Sequence, residues 1–302
     1  MSRTLVLGDI NLDVMASVPS SLPIEGEVRT RVVVEPGGSA ANFARAAALL
    51  GATVEFIGCV GHDLVGDILV ESLNGARVIP HLQRTAVQSG TIVSLKSNRG
   101  KTMLCSRGAN DMIDPSLFDE GWFAGADHLH LSGYTFLSEV QSAASKRAIS
   151  IAKLHKMSVS VDPPPANLIS SYGVQAFLAK ISAVGIVFPN LAEGRIMTDE
   201  DTPEEIVDSL SVRFPVGALT MGRDGSIAWD GKKRSVQQVA EIDGVDPTGA
   251  GDAFAAGFIV SYLKDGDVDR ANREGHSVAR SHLLQRASNA TLAYHEGREG
   301  KR

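Results

Sequence analysis

The sequence predicts an α/β fold in which a mostly parallel sheet is covered by helices on both faces. Short apolar runs typical of buried strands alternate with amphipathic stretches typical of helices. The predicted strands are residues 4–7, 54–57, 128–131, 159–161, 184–188 and 218–221, and the clearest predicted helices are 40–50, 64–73, 142–155 and 268–284. Because strands that alternate with helices form parallel sheets, ligand sites are expected beyond the carboxyl ends of the strands.

Two segments depart from this alternation. Residues 28–34 and 90–104 are rich in β-branched side chains and have no helical pattern between their strands. Such segments are typical of antiparallel ribbons, and the turn at Asn98-Arg99-Gly100 favours a hairpin. We expect a single domain over residues 1–302, with ribbons inserted at about 14–34 and 85–107 that form a small second sheet over the site. The alternative is that both ribbons are edge hairpins without a functional role.

Composition and charge narrow the classes of partner. The 302 residues are 43% hydrophobic and 21% charged, which is typical of a globular protein with a sizeable core. The formal net charge of −6 argues against nucleic acid or an anionic membrane surface as the main partner. The two cysteines are too few for a disulfide framework. With no signal-peptide pattern and no run of about 18 apolar residues, we expect a cytoplasmic location.

Residues 245–254, Val-Asp-Pro-Thr-Gly-Ala-Gly-Asp-Ala-Phe, carry the strongest functional signal. Gly249, Ala250 and Gly251 stand where a helix should begin, and the free backbone N–H groups of a helix start bind anions. Asp252 then lies in the first turn, beside the bound anion. A carboxylate at that place suits a base that takes the proton of an alcohol attacking a phosphate. The alternative is that Asp252 only complements the helix dipole.

Polar residues also follow the first strand and open the next helix. Asn11 and Asp13 are two positions apart, so in extended chain they face the same way and suit adjacent hydroxyls of a polyol. Turn chemistry is the alternative for this pair. Gly37 and Gly38 permit a ligand to approach the backbone closely, and Asn42 lies in the first turn of the helix that follows. The alternative there is a strand-to-helix turn with a serine N-cap.

Two later segments suit a nucleotide and its metal ion. Asn190 and Glu193 share a helix face, and an amide with a carboxylate suits a hard cation such as Mg²⁺, although a capping box is the alternative. Residues 220–226 form a glycine-rich turn that can pass close to a nucleotide. The chain has no Gly-x4-Gly-Lys-Ser/Thr sequence, which excludes a P-loop route to phosphate binding. His128 and His130 lack a third ligand at suitable spacing, so we expect them to pack in the core.

Taken together and in this order, these segments resemble the ribokinase-type carbohydrate kinases, the PfkB family. The likeness extends from Gly8 to about residue 284, and it is carried by residues 37–44 (Gly-Gly-Ser-Ala-Ala-Asn-Phe-Ala) and by residues 246–254. The resemblance implies a ribokinase-like three-layer sandwich with a mostly parallel central sheet and a small antiparallel β lid. It also implies transfer of the γ-phosphoryl group of ATP to a hydroxyl of a sugar or sugar derivative, and a homodimer joined through the lid.

The resemblance further implies a role for each matching residue. The base is Asp252, with an anion hole at Gly249, Ala250 and Gly251. The positions that grip the acceptor sugar are Asn11, Asp13, Gly37, Gly38 and Asn42. The residues on the nucleotide side are Asn190, Thr220, Gly222 and Gly225, and Glu193 helps to position Mg²⁺. In many members a monovalent cation such as K⁺ lies near the loop that contains Asp246 and Thr248.

The chain also departs from ribokinases proper. Ser132 replaces a glutamate used against the sugar, Ser39 replaces a lysine of the first signature, and the late Gly-Ala pair near the adenine and cation loops is not evident. Arg107, at the end of the second ribbon, either reaches a carboxylate or phosphate of the substrate or is a solvated lid residue. Neither ribbon contains Phe, Tyr or Trp, which favours a sugar over a nucleoside, because a base normally stacks on an aromatic platform. A nucleoside kinase and a non-catalytic sensor of sugars or nucleotides are the alternatives.

Overall fold

The computed structural model describes residues 2–21, 25–231, 233–240, 242 and 245–299, with side chains described up to residue 288. The strands within these residues are β1 (Arg3–Leu7), β2 (Asn11–Ser17), β3 (Val32–Gly37), β4 (Thr53–Gly61), β5 (Ile79–Thr85), β6 (Gly90–Ser97), β7 (Gly100–Ser106), β8 (His128–Ser132), β9 (Ser158–Asp162), β10 (Ile186–Val187), β11 (Val216–Thr220), β12 (Ser226–Asp230) and β13 (Lys233–Gln237). The helices are α1 (Ser39–Leu49), α2 (Leu64–Gly75), α3 (Glu139–Leu154), α4 (Ala166–Tyr172), α5 (Val174–Lys180), α6 (Leu191–Thr198), α7 (Pro203–Arg213), α8 (Ala250–Asp265) and α9 (Val268–Glu299).

The larger of the two described sheets runs in the order β13-β12-β11-β10-β9-β8-β1-β4-β5. All strands from β11 to β5 are parallel, and β12 and β13 extend one edge as antiparallel strands. Strand β1 lies in the middle, with Leu5 and Leu7 in the core on one face and Val6 in the core on the other. Burial on both faces explains why the parallel strands read as continuous apolar runs.

The smaller sheet has the order β3-β2-β6-β7 and forms a lid. Its outer pairs, β2 with β3 and β6 with β7, are antiparallel, whereas its central pair, β2 with β6, is parallel. Strands β2 and β6 are parallel because each continues from a strand of the large sheet, β2 from β1 and β6 from β5. Since β1 and β5 point the same way, the strands that follow them also point the same way. The predicted arrangement of a mostly parallel sheet with a small, largely antiparallel second sheet is confirmed.

Helix α8 is the most deeply buried helix at the site edge of the sheet. It packs against α1 and α9, and the rings of Phe254 and Phe258 lie against Phe188 with centroids 6.5 and 5.2 Å away. A helix that is apolar on nearly all sides belongs in a core, which fixes its direction and the position of its first turn. Since α1 also packs on α8, the first turns of these two helices meet beyond the carboxyl end of β1.

Several element boundaries differ from the sequence prediction, and two of the differences have a clear local cause. Strand β10 covers only Ile186–Val187 of the predicted 184–188, where Pro189 removes a backbone donor just beyond the strand. Helix α9 continues to Glu299, well past the predicted end at residue 284, because the later residues keep a helical character without a glycine until Gly297. Of the helices in the described residues, none has the length and apolar character that a bilayer crossing requires.

Candidate active site

Asp252 lies where the starts of α1 and α8 meet. It is in the first turn of α8 and only 9% exposed. Ser39 Oγ donates a hydrogen bond to Asp252 Oδ1 at 2.8 Å, and Asn42 Nδ2 donates one to Oδ2, also at 2.8 Å. The alternative considered for this turn, a serine N-cap, does not occur: Gly38 occupies the N-cap position of α1 without a side-chain cap, and the Ser39 hydroxyl donates to the carboxylate. Asp252 is thus fixed by side chains more than 200 positions away in the chain.

Burial raises the pKa of Asp252 to about 6, while the hydrogen bonds from Asn42 and Ser39 oppose the rise. A second carboxyl group, that of the partly exposed Asp162 at the end of β9, lies in this site, and desolvation together with the nearby charge of Asp252 raises its pKa well above the ordinary value. A hydrogen bond between the two carboxyl groups keeps the proton on Asp162 and favours the ionised form of Asp252. The arrangement therefore presents an ionisable base at a buried position.

The backbone before Asp252 is shaped for close approach. Gly249 is the N-cap of α8 with a left-handed φ of 82°, and a Cβ there would lie 2.8 Å from the His282 ring. A Cβ on Gly251 would meet nothing within 4 Å, so open space lies above that amide. Ala250 N–H donates to Pro247 O at 3.0 Å, which tightens the turn. The remaining first-turn amides and the helix dipole make this face of the helix suitable for an anion.

A polar cavity of about 170 Å³ opens between the lid and the starts of these helices. Its lining includes Asp13, Gly37, Asn42, Arg45 and Arg286. Burial, with the charges of Glu35 and Asp9, raises the pKa of Asp13 to about 6, and Asp13 Oδ1 is buried without a hydrogen-bond partner. The cavity therefore offers a carboxylate that lacks a donor, next to the residues that hold Asp252.

The two glycines of the first signature are required by close packing. A Cβ on Gly37 would overlap the carboxylate of Asp13, which is on the neighbouring strand β2, two residues beyond the direct ladder partner of Gly37. Gly38 has a φ of 97°, and a Cβ there would lie 2.5 Å from the carbonyl oxygen of Asp9. Gly38 is thus restricted to glycine by its left-handed φ and by the backbone of Asp9, whereas Gly37 leaves room for the Asp13 carboxylate.

The structure engages Asn11 and Arg107 with other protein groups. Asn11 Oδ1 accepts from Asn110 Nδ2 at 2.8 Å, and Asn11 Nδ2 donates to Asp9 Oδ2 at 3.3 Å. The Arg107 guanidinium pairs with Asp111 at 2.8 Å and lies 5.2 Å from the centre of the Tyr134 ring. Neither side chain is among those that line the cavity beside Asp252.

The predicted nucleotide side is assembled at the ends of β10 and β11. Asn190 and Glu193 form a reciprocal capping box at the start of α6, which is the alternative considered for this pair. Glu193 is nevertheless only 6% exposed, and its pKa is raised to about 8 by burial and by the charge of Asp252. Thr220 bridges to Asn190, and the turn after it contains Gly222 and Gly225 with φ values of 60° and 86°. These residues follow β10 and β11, which are separated in the sheet order by β9 and β8 from β1, the strand that precedes the acceptor-side residues.

The loop before α8 carries Asp246 and Thr248, the residues expected near a monovalent cation. Asp246 Oδ1 accepts hydrogen bonds from the backbone N–H and the hydroxyl of Thr248 at 3.0 and 2.6 Å. The ammonium of Lys101, from the lid, donates to Thr248 Oγ1 at 2.6 Å and lies 3.5 Å from Asp246 Oδ1. Among the described residues, no group of three or more His, Cys, Asp and Glu side chains is arranged to hold a metal ion.

Several residues of the site were missed in the sequence. Asp9 and Asp162 directly follow or end parallel strands, so the rule that sites lie at carboxyl ends of strands was a usable signal. Arg45 donates to Asn42 Oδ1 at 2.7 Å, and its position one turn after Asn42 on a helix was also readable. Lys101 had no such signal, because its contact depends on how the lid folds over the loop.

Comparisons with known proteins agree with this geometry. Residues 1–292 match the family described as pfkB family carbohydrate kinase. A ribokinase of Haemophilus influenzae is 30% identical over 97% of this chain and 96% of its own. An ATP-dependent ribose-1-phosphate kinase of Halopiger xanaduensis is 33% identical over 100% of this chain and 94% of its own.

The fold is shared with solved structures as well. A crystal structure of an E. coli protein in complex with ATP and Mg²⁺ has a TM-score of 0.82 and 22% identity, and covers 92% of both chains. With a family match over nearly its whole length, the chain belongs to the pfkB family of carbohydrate kinases.

Proposed function

We propose that the protein is an ATP-dependent kinase that transfers the γ-phosphoryl group to a hydroxyl of a sugar or sugar derivative, with Asp252 as the base. The observation that carries the proposal is that Asp252, in the first turn of α8, accepts a hydrogen bond from Asn42, which lines the polar cavity. A hydroxyl in the cavity would face the carboxylate, and a phosphoryl group on the helix start would face the hydroxyl. In-line transfer needs that order of groups.

On the acceptor side, Asp13, Gly37, Gly38 and Asn42 form the proposed sugar-binding wall. The buried Asp13 oxygen without a partner supports this role, since a sugar hydroxyl is a suitable donor. Asn11 acts by holding Asp9 and Asn110 in place. Arg107 acts at the rim, where its contact with Tyr134 braces the end of the lid.

The proposed anion hole is the backbone of Gly249, Ala250 and Gly251. The amides of Gly249 and Gly251 and the positive end of the α8 dipole would stabilise the charge on the equatorial oxygens during transfer, while the Ala250 amide tightens the turn. The left-handed Gly249 and the open space above Gly251 support this assignment. Because most of the barrier is lowered by positioning and charge neutralisation, Asp252 need not be strongly basic.

The nucleotide side is proposed to consist of Asn190, Thr220, Gly222 and Gly225. Glu193 and Asp162 would serve Mg²⁺, which proteins commonly bind through one or two carboxylates together with substrate phosphates. The raised pKa values of these two carboxyl groups fit a cation site, because no positive charge is among the causes of either shift and a bound cation would favour their ionised forms. Bound there, the ion would neutralise phosphate charge.

A free monovalent cation at Asp246 and Thr248 fits the structure poorly. The carboxylate of Asp246 already accepts two hydrogen bonds from Thr248, and the Lys101 ammonium lies against both side chains. We therefore assign no K⁺ ion to this loop.

We further propose a cytoplasmic homodimer joined through the lid, with no nucleic-acid or membrane partner. The lid exposes Val32, Val34 and Leu104 by more than half of their surfaces, and apolar groups of this kind mark association surfaces. A Val34→Asp variant should shift the mass measured by light scattering from dimer to monomer.

The function is tested by ADP release with a panel of ribose, ribose 1-phosphate, other sugars, sugar acids and nucleosides. Turnover with a sugar or sugar derivative supports the proposal. Preference for a nucleoside would support a nucleoside kinase on the same fold. Binding of sugar or nucleotide without any acceptor-dependent turnover would instead indicate a sensor.

A further inference from the structure

Lys101 connects the lid to the loop that precedes the proposed anion hole. It is the second residue of β7, just after the hairpin turn, and its side chain is 28% exposed. Its ammonium lies 2.6 Å from Thr248 Oγ1 and 3.5 Å from Asp246 Oδ1. A lid residue therefore reaches the last position before Gly249, where the left-handed turn into α8 begins.

The contact is part of a directed chain of hydrogen bonds. Lys101 donates to the Thr248 hydroxyl, the hydroxyl donates to Asp246 Oδ1, and the Thr248 backbone N–H donates to the same oxygen. On the other side, His282 Nε2 is 2.9 Å from the Thr248 carbonyl oxygen. Thr248 is thus held from the lid, from its own loop and from α9. Movement of any of these contacts would change the direction of the first amides of α8.

The charge of Lys101 acts on both halves of the site. Burial raises the pKa of Asp246, but the hydrogen bonds from Thr248 and the charges of Lys101 and Arg286 hold it below its ordinary value. The same ammonium opposes the rise of the pKa of Asp13 in the polar cavity. Lys101 therefore places a positive charge between the acceptor wall and the anion-hole loop, where a phosphoryl group would add negative charge.

We propose that the Lys101 ammonium, which is carried by the lid, takes the place of a free monovalent metal ion at the anion-hole loop. The inference rests on the proposed function only for its kinetic consequence. An ammonium carried by the chain would hold Asp246 and Thr248 in position whenever the lid is closed. The enzyme would then need no K⁺, and the loop would be complete only when the lid covers the acceptor.

The test compares the wild type with Lys101→Met and with Lys96→Met. Lys96 is a matched control, because it is directly opposite Lys101 in the β6–β7 ladder and is exposed on the same sheet. The kcat is measured in KCl and in tetramethylammonium chloride at equal ionic strength. We expect the wild type and Lys96→Met to differ by less than about twofold between the salts. Lys101→Met should lose roughly 10- to 100-fold in tetramethylammonium and recover part of this in K⁺.

A second measurement does not depend on turnover. The melting temperatures of the three proteins are compared in the same two salts, because an ion that binds only the folded state raises the melting temperature. We expect K⁺ to stabilise Lys101→Met selectively. Equal stabilisation of the wild type by K⁺, or a K⁺ requirement for wild-type turnover, would overturn the proposal and leave the kinase assignment intact. Absence of turnover with every acceptor would count against the kinase assignment, and the melting temperatures would still decide the role of Lys101.

Discussion

The side-chain amide of Asn42 donates a 2.8 Å hydrogen bond to Asp252 Oδ2, joining the first turns of two helices that are 210 positions apart. The other end of the amide accepts a 2.7 Å hydrogen bond from Arg45 Nη2. Since a guanidinium can only donate, the contact with Arg45 fixes which end of the amide faces Asp252. Asn42 therefore holds the proposed base in addition to lining the acceptor cavity.

Arg45→Met should lower kcat about tenfold with a smaller change in the acceptor KM. Loss of the guanidinium would free the Asn42 amide to rotate and would weaken a charge-assisted contact with Asp252. If Arg45 acts through Asn42, the double variant Arg45→Met/Asn42→Ala should be no slower than Asn42→Ala alone. Steady-state kinetics of the three variants, with Arg147→Met as a surface control, measure this. Additive losses of kcat in the double variant would show that Arg45 does not act through Asn42.

The acceptor kcat/KM should rise with pH and level off at about pH 7, one unit above the pKa values of the two carboxyl groups involved. Asp252 and Asp13 both have pKa values raised by burial to about 6, and both act as carboxylates in the account given above. Each loses its charge as the pH falls through its pKa, so activity should fall with a limiting slope of two on the acid side. The profile is measured at saturating ATP and Mg²⁺, so that titration of the nucleotide does not contribute.

Two variants identify which carboxyl groups cause the fall in activity at low pH. Asp13→Asn should reduce the limiting slope to one. Ser39→Ala removes a hydrogen bond that lowers the pKa of Asp252, so its acid limb should move upward by about one pH unit. A profile that stays flat between pH 5 and 7 in the wild type would argue against an ionised Asp252 as the base.

Glu193→Gln should raise the Mg²⁺ concentration needed for half-maximal rate by at least about tenfold. Glutamine can still accept the capping-box hydrogen bond from Asn190 N–H but loses the one from Asn190 Nδ2, so the melting temperature should fall modestly while the negative charge is lost. The chain offers a matched control, because Thr202 and Glu205 form a second capping box at the start of α7. Glu205→Gln should leave the Mg²⁺ dependence unchanged. If Glu193→Gln and the wild type show the same Mg²⁺ dependence, Glu193 caps α6 and does not take part in Mg²⁺ binding.

The sequence predicted the layers and the strands of this fold because their signals are local. Apolar runs such as Leu5-Val6-Leu7 and the glycine-rich start of α8 depend on residues close together in the chain. The positions of Asp252 and of Gly37 and Gly38 at helix and strand ends were also predictable, since each stands in a recognisable local pattern. The extension of α9 was missed because helix ends without a proline or a clear cap leave a weak signal.

The links between these parts could not be predicted. Whether Ser39 caps α1 or turns to Asp252 depends on the position of α8, which only tertiary packing decides. Lys101 reaches Thr248 because the lid hairpin folds across 147 positions of the chain. Asn11 was expected to contact the acceptor directly. Its hydrogen bond from Asn110 depends on the packing of β2 against the turn after β7, which the sequence does not reveal.

The central claim is that Asp252 takes the proton of the acceptor hydroxyl, and the Asp252→Asn enzyme tests it most directly. Asparagine fits the site, because its oxygen can accept from Asn42 and its amide can donate to the Ser39 hydroxyl, which accepts as well as it donates. Acceptor binding measured by calorimetry should therefore stay close to that of the wild type. Asp201→Asn, an exposed loop residue, is the matched control. We predict that kcat of Asp252→Asn falls by about 10²- to 10⁴-fold, whereas a kcat within tenfold of the wild type would contradict the account.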